Sequence, residues 1–143
     1  MNALEQVKSL GMISKVEAIA YLFRREFPEC IADLKPWIQT EETEKFCDPN
    51  SIDLAFYFAD GNYACQCQSI LMQVRIERHC DRYQREYRVV GIKLSGYAAY
   101  QEQWQFSTTG YCEFVGMSEP ILAAQTKLKN ICRQILNLFN AEE

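Results

Sequence analysis

The sequence lacks any hydrophobic run long enough to cross a membrane. Its longest uninterrupted apolar runs have six residues, as in Ala18–Phe23, whereas a membrane-spanning helix needs roughly 20 apolar residues. Residues 1–15 carry Glu5, Lys8 and Lys15 among their apolar residues, and they lack the hydrophobic core of a signal peptide. We therefore expect a cytoplasmic protein that has no membrane segment.

Histidine is also scarce, because His79 is the only one in the chain. This scarcity excludes mechanisms that use two histidines, and any cysteine–histidine catalysis must involve His79. The sequence has no phosphate-binding loop, no dinucleotide-binding glycine fingerprint, no nucleophile elbow and no His-Glu-x-x-His motif. These absences favour a binding protein over an enzyme, and they indicate no cofactor.

There is no excess of positive charge. The chain has 15 Lys and Arg residues against 19 Asp and Glu residues, for a formal net charge of -4. Nucleic-acid binding normally needs a broad basic surface, so nucleic acid is not an expected partner. One local arginine series could contact an anion or a nucleic acid, but interleaved acidic residues favour charge pairing on a solvated hairpin. That series comprises Arg75, Arg78, Arg82, Arg85 and Arg88.

The chain contains seven cysteines. Their number is odd, they are scattered and no export signal precedes them, so reduced thiols are expected rather than disulfides. The alternative is a tetrahedral zinc site, in which two strand thiolates are joined by a histidine and a further cysteine. Its candidate ligands are Cys65, Cys67, His79 and Cys80. Their spacing does not match the usual Cys-x-x-Cys knuckle, which favours small buried cysteines and no metal.

A length of 143 residues, with 48% hydrophobic and 24% charged residues, is typical of one globular domain. The sequence shows no internal repeat and no linker rich in Gly, Pro or Ser. Residues 1–143 are therefore predicted to form a single α+β domain. The expected architecture has N-terminal helices, a four- to five-stranded antiparallel meander, and a long C-terminal helix packed on one sheet face.

The N-terminal third is predicted to be helical. Ser14-Lys15-Val16-Glu17 matches a capping box, and apolar residues then recur at the spacing of one helical face. That face comprises Val16, Ile19, Ala20, Phe23 and Phe27. Residues 29–37 allow a second, short helix with Ile31 and Leu34 facing inward.

The middle of the chain changes to a two-residue period that is typical of strands. Apolar residues alternate along Ile52–Phe58, and Asp60-Gly61-Asn62 predicts a tight hairpin. In the next strand, residues 63–78, the apolar residues change parity, and a one-residue bulge near Gln68–Ser69 would bring both sets to one face. Further strands are predicted at residues 87–97, 101–107 and 111–115.

The chain ends in a predicted helix, with Ser118 as its cap and Pro120 in its first turn. Its apolar face comprises Ile121, Leu128, Ile131, Cys132, Ile135, Leu138 and Phe139. Because this face is wide and continuous, we expect the helix to cover one face of the sheet.

The sheet face turned away from the helices is the predicted functional surface. Alternation places long amides, two cations and two tyrosines there, and tyrosine and arginine are enriched where proteins meet partners. The residues are Tyr57, Gln73, Arg75, Lys93, Tyr97, Gln103 and Gln105. The sequence therefore predicts a non-enzymatic binding or adaptor domain that uses this face for a protein partner or for self-association. The alternative is a small-molecule-binding protein or an enzyme with an aromatic-lined pocket between the sheet and the C-terminal helix.

Overall fold

The structure is a computed structural model that describes residues 1–10, 12–37, 48–78 and 87–140. Within these ranges it contains three helices and six strands. The helices are α1 (Ala3–Leu10), α2 (Ile13–Glu26) and α3 (Leu122–Asn140). The strands are β1 (Ile31–Asp33), β2 (Ser51–Asn62), β3 (Cys67–Arg78), β4 (Tyr87–Ala98), β5 (Gln101–Ser107) and β6 (Val115–Gly116).

The six described strands form one antiparallel sheet in which each strand pairs with the next one along the chain. The α+β prediction is confirmed, and the meander has slightly more strands than the four or five expected. The long central strands β2, β3 and β4 are flanked by a three-residue edge strand, β1, and a two-residue edge strand, β6. Such short edges limit unwanted pairing with other chains.

The core lies between one face of the sheet and the helices α2 and α3. Phe23 of α2 stacks on Phe56 of β2 with ring centroids 3.8 Å apart. Trp104 of β5 is fully buried, and its indole Nε1 donates a hydrogen bond to the Cys65 carbonyl at 2.7 Å. The buried residues of α3 are Ala124, Leu128, Ile131, Cys132 and Ile135. The prediction that the C-terminal helix packs on one sheet face is therefore confirmed.

The predicted capping box is wrong, although the helical stripe behind it is correct. Helix α2 begins at Ile13 after Met12, and no side chain caps it. Met12 is buried, and its carbonyl accepts hydrogen bonds from the backbone N–H groups of Lys15 and Val16. Burial of Met12 in the core thus sets the start of the helix, and Ser14 lies inside the first turn.

The short second helix predicted for residues 29–37 is also wrong, because this segment contains β1. Its residues pair with β2 in the register Ile31 with Tyr57 and Asp33 with Ala55. Ile31, expected to face inward, is 61% exposed. Local periodicity cannot detect that the edge of β2 offers unpaired backbone groups, and tertiary context overrides propensity here.

The turn between β2 and β3 lies later than predicted. Strand β2 continues through Asn62, whose side-chain oxygen accepts a hydrogen bond from the Cys65 N–H at 2.9 Å. Both apolar sets of the next strand are buried as expected. The register between β2 and β3 shifts opposite Cys67–Ser69, close to the predicted position, but the extra residues lie on β2, between Tyr57 and Asn62.

Helix α3 begins at Leu122, after the predicted start, and Ile121 is 44% exposed rather than inward. The Pro120 carbonyl accepts a hydrogen bond from the Gln125 side chain at 2.8 Å. The Ile121 N–H donates to the Ala64 carbonyl at 2.9 Å and ties the helix start to the β2–β3 turn. None of the helices in the described ranges is long and apolar enough to cross a membrane.

Candidate binding face of the sheet

The sheet face opposite α2 and α3 carries all seven residues that the sequence predicted for it. We call it the distal face. Across the central strands Gln73 is paired with Lys93, and Ser95 with Gln105, while Gln103 shares the side of Gln105 two residues away. Its residues are Asp53, Ala55, Tyr57, Ser69, Leu71, Gln73, Arg75, Lys93, Ser95, Tyr97, Gln103 and Gln105.

One end of the distal face is closed by a hydrogen-bond network around Asp53, which is 2% exposed. Its Oδ2 accepts from the Trp37 indole Nε1 at 2.6 Å and from the Met1 ammonium at 3.0 Å. The Asn2 side chain accepts from the Trp37 N–H at 2.9 Å and donates to the Trp37 carbonyl at 3.1 Å. Trp37 is therefore held over the sheet by three hydrogen bonds.

A groove of about 710 Å³ runs beside Trp37 across the distal face. At its centre Ser69 of β3 lies between Tyr57 of β2 and Tyr97 of β4 in the strand register. A small residue between two large aromatic ones leaves a slot in the surface. The lining comprises Pro36, Trp37, Ala55, Tyr57, Phe58, Ala59, Gln68, Ser69, Leu71, Tyr97, Ala99 and Tyr100.

Both tyrosines of the slot lie in a negative local field. Burial raises the pKa of the Tyr57 phenol, and the Asp33 carboxylate raises it further through its charge and a hydrogen bond. Burial also raises the pKa of Tyr97, as does the charge of Glu102, while a hydrogen bond with the Ser95 side chain acts in the opposite direction. The two phenols therefore stay protonated at neutral pH beside two carboxylates.

The groove ends at a strained turn between β4 and β5. Ala99 and Tyr100 have φ values of 51° and 63°, as required at the two central positions of a type I′ hairpin turn. Asn-Gly is the usual sequence there, and each non-glycine residue in this region costs roughly 1–2 kcal/mol. The Tyr100 side chain is fully exposed at the rim of the groove. Backbone strain of this kind is often found at functional sites.

The predicted cations lie at the Asp53 end of the distal face, away from this turn, because Gln73 is paired with both Asp53 and Lys93. Arg75 is exposed and forms an ion pair with Asp48 at 2.6 Å. A backbone hydrogen bond from Asn50 lowers the pKa of Asp48, and the hydrogen bond and charge of Arg75 lower it further. Lys93 is half-buried opposite Gln73. The positive charge of Arg75 is therefore offset locally, while Lys93 remains on the face.

The arginine series is only partly described. Arg88 pairs with Glu77 at 2.6 Å, and both side chains are more than half exposed. Arg82 and Arg85 lie outside the described residues, and only the backbone of Arg78 is described, at the end of β3. The described members thus form surface ion pairs, which contribute little to stability.

Comparison with known proteins places the chain in a family. A protein family described as a domain of unknown function matches residues 4–141. The chain belongs to this family. No curated protein and no solved structure matches it. The family description names no activity.

The alternative prediction, a zinc site, has four candidate ligands. Two of them are buried cysteines, and the other two lie outside the described residues. Cys65 lies in the β2–β3 turn and Cys67 begins β3, and they are 0% and 5% exposed. Burial raises the pKa of Cys65 to about 12, and burial raises that of Cys67 as well. A raised pKa disfavours the thiolate that a metal requires. His79 and Cys80 lie outside the described residues, and within the described ranges no three metal-ligating side chains form a cluster.

All five described cysteines are free thiols. Burial raises the pKa of Cys30 to about 11 and that of Cys132 to about 12, whereas Cys112 is exposed. Cys47 and Cys80 lie outside the described residues.

We expect iodoacetamide at pH 8 to label Cys112 in the folded protein before the four buried thiols. The buried thiols, Cys30, Cys65, Cys67 and Cys132, should react roughly 100-fold more slowly, because reaction has to wait for the structure to open. Peptide mapping by mass spectrometry measures each site separately, and labelling in denaturant gives the unprotected rate. Rapid labelling of Cys65 or Cys67 in the folded state would contradict the packing of the β2–β3 turn.

The aromatic rings on the helix side of the sheet pack against one another. Phe114 stacks on Phe106 at 4.6 Å and meets Trp104 edge-on at 5.3 Å, and Lys129 of α3 lies over both phenylalanine rings. A pocket of about 530 Å³ at the boundary between β5 and α3 combines Phe106 with polar and aliphatic side chains. The more aromatic groove lies instead on the distal face.

Sequence reasoning missed Trp37 and Tyr100, which complete the groove. The sequence predicts a short helix that includes Trp37, whereas the observed position of Trp37 depends on contacts with Asn2 and Asp53, which are distant in sequence. Tyr100 lies in a hairpin turn without the Asn-Gly or Asp-Gly signal. The spacing of the apolar residues in β4 and β5 does predict a short connection between these strands, and this spacing is the one sequence signal that points to Tyr100.

Proposed function

We propose that this protein is a non-enzymatic binding or adaptor domain that recognises a protein partner through the groove of the distal face. The observation that carries the proposal is the aromatic slot itself, in which Tyr57 and Tyr97 flank Ser69 beside the rim residue Tyr100. Tyrosine and tryptophan supply large contact areas at low entropic cost and dominate the binding energy of many interfaces.

The chemistry of the groove supports binding rather than catalysis. Among the described residues that line it, Ser69 is the one aliphatic hydroxyl, and none is a histidine or a thiol; the carboxylates of Asp33 and Glu102 lie near the two tyrosines but outside the lining. A serine nucleophile needs an adjacent base. The pKa values of the Tyr57 and Tyr97 phenols are raised, so both phenols are protonated at neutral pH and cannot accept a proton from Ser69.

We expect Ser69→Trp to abolish partner binding by filling the slot. Ser69 is half-buried and its side chain lies on the distal face, so the change should shift the free energy of unfolding by only about 0.5 kcal/mol. Immobilised parent and variant are compared by quantitative mass spectrometry of proteins captured from native lysate. Genuine partners should decrease roughly tenfold with the variant.

The matched control is Ala123→Trp, which adds the same side chain at an exposed position of α3. It should capture the same proteins as the parent. Sedimentation over a range of concentrations tests self-association in parallel, and Ser69→Trp should abolish any dimer that uses the groove. If Ser69→Trp stays folded, captures every partner and sediments like the parent, the proposal is wrong.

A further inference from the structure

We propose that the groove accepts an arginine side chain from a basic peptide segment of the partner. This inference rests on the proposed function and specifies the chemistry of the partner. It combines the spacing of the two tyrosines, the acidic residues beside them and the strained turn that presents Tyr100.

The spacing of the slot suits one flat side chain. Tyr57 and Tyr97 are separated by β3 alone, so their backbones lie about 9.6 Å apart, which is two strand spacings. A planar group held between two rings needs contacts of about 3.5–4.0 Å on each side, or roughly 7–8 Å in total. A guanidinium group is planar and stacks on aromatic faces, whereas an ammonium is a compact, strongly hydrated charge.

The charge around the slot favours a cation. Asp33 acts on Tyr57 and Glu102 acts on Tyr97, so a carboxylate lies beside each wall. The exposed Lys35 is next to Pro36 of the lining, so its single positive charge offsets part of the charge of these two carboxylates. Lys93 is four residues from Tyr97 along β4, about 13 Å away, which exceeds the Debye length of about 8 Å at physiological salt.

The turn at Tyr100 supports a role in binding independently of charge. A glycine at this position would relieve backbone strain, yet the chain carries a tyrosine that is fully exposed at the rim. A purely structural turn gains nothing from that side chain. A third ring at the open end of the slot would add contact with an arginine that enters between Tyr57 and Tyr97.

The test uses acetyl-Gly-Arg-Gly-Arg-Gly-amide and matched peptides in which both arginines are replaced by lysine, glutamine or glutamate. Binding is followed by the indole N–H resonances of the two tryptophans in nitrogen-15-labelled protein. Trp37 lines the groove, whereas Trp104 is fully buried on the opposite side of the sheet. The arginine peptide should shift the Trp37 signal and leave that of Trp104 in place, and it should bind more tightly than the other three.

Three variants identify the groove as the site. Tyr97→Leu should lower the affinity for the arginine peptide roughly two- to thirty-fold, which is the range expected for the loss of one cation–π contact. Glu102→Gln should weaken it at low salt and have little effect in 0.5 M salt, while Glu113→Gln, which removes an equal charge from an exposed loop position, should leave binding unchanged. Tyr100→Gly should lower the affinity for the arginine peptide and raise the melting temperature. If Tyr100 has only a structural role, the melting temperature alone should change.

The outcomes separate this inference from the proposed function. If the glutamine or glutamate peptide binds as well as the arginine peptide, or if Trp104 shifts with Trp37, the arginine inference is wrong. If no peptide binds but Ser69→Trp still loses the captured partners, the groove is a binding site for a partner of different chemistry. If neither the peptide nor the captured proteins respond to Ser69→Trp, both proposals fail.

Discussion

A chain that ends at Gly116 is expected to lose cooperative unfolding. Helix α3 buries Leu128, Ile131, Cys132 and Ile135 against the sheet, and burying each large apolar side chain contributes about 1.5–3 kcal/mol. Their sum is comparable to the whole stability of a typical domain, about 5–15 kcal/mol. The truncation would also expose the rings of Trp104 and its neighbours. Circular dichroism and calorimetry should show no thermal transition, or the protein should be insoluble.

The matched control is a chain that ends at Asn140, the last residue of α3. It retains every described contact of the helix and should melt like the full chain. A cooperative melt of the chain ending at Gly116 would mean that the sheet and α2 form a core without α3, contrary to the packing described above.

Gly96→Ala should be among the most destabilising single substitutions in the sheet. A Cβ atom at Gly96 would lie 2.3 Å from Cε2 and 2.4 Å from Nε1 of Trp104. The indole cannot move away easily, because it donates to the Cys65 carbonyl at 2.7 Å and packs against Phe114. Overpacking of this kind costs about 1–3 kcal/mol, and we expect the upper end of that range. Urea denaturation measures the change in the free energy of unfolding.

Gly91→Ala is the control on the same strand. Its Cβ would approach Cγ2 of Thr109 at 2.8 Å, the end of an exposed side chain that can rotate, so the cost should be smaller. In a double-mutant cycle, Trp104→Leu removes the colliding indole, and Gly96→Ala should cost about 1–2 kcal/mol less in that background. Additive effects in the cycle would contradict the close contact between Gly96 and Trp104.

The sequence predicts which residues share the distal face, but it does not predict which of them are neighbours across the strands. Alternation along β3 and β4 indicated that Arg75, Lys93 and Tyr97 share a face, because a side chain's direction in a strand follows from residue parity. Parity alone does not determine which residues are neighbours across strands, since that depends on register and bulges. The structure pairs Ser69 with both Tyr57 and Tyr97, and this register creates the slot.

The sequence by itself determined the α+β class, the buried stripe of α2 around Ile19 and Phe23, and the packing of α3, because each is recorded in a local period of apolar residues. Only the tertiary structure decided that residues 31–33 form an edge strand, that Trp37 closes the groove, and that Ala99 and Tyr100 adopt positive φ values. These features depend on hydrogen bonds and packing between residues far apart in the chain. Local propensity carries no information about such contacts, and long-range pairing overrides it.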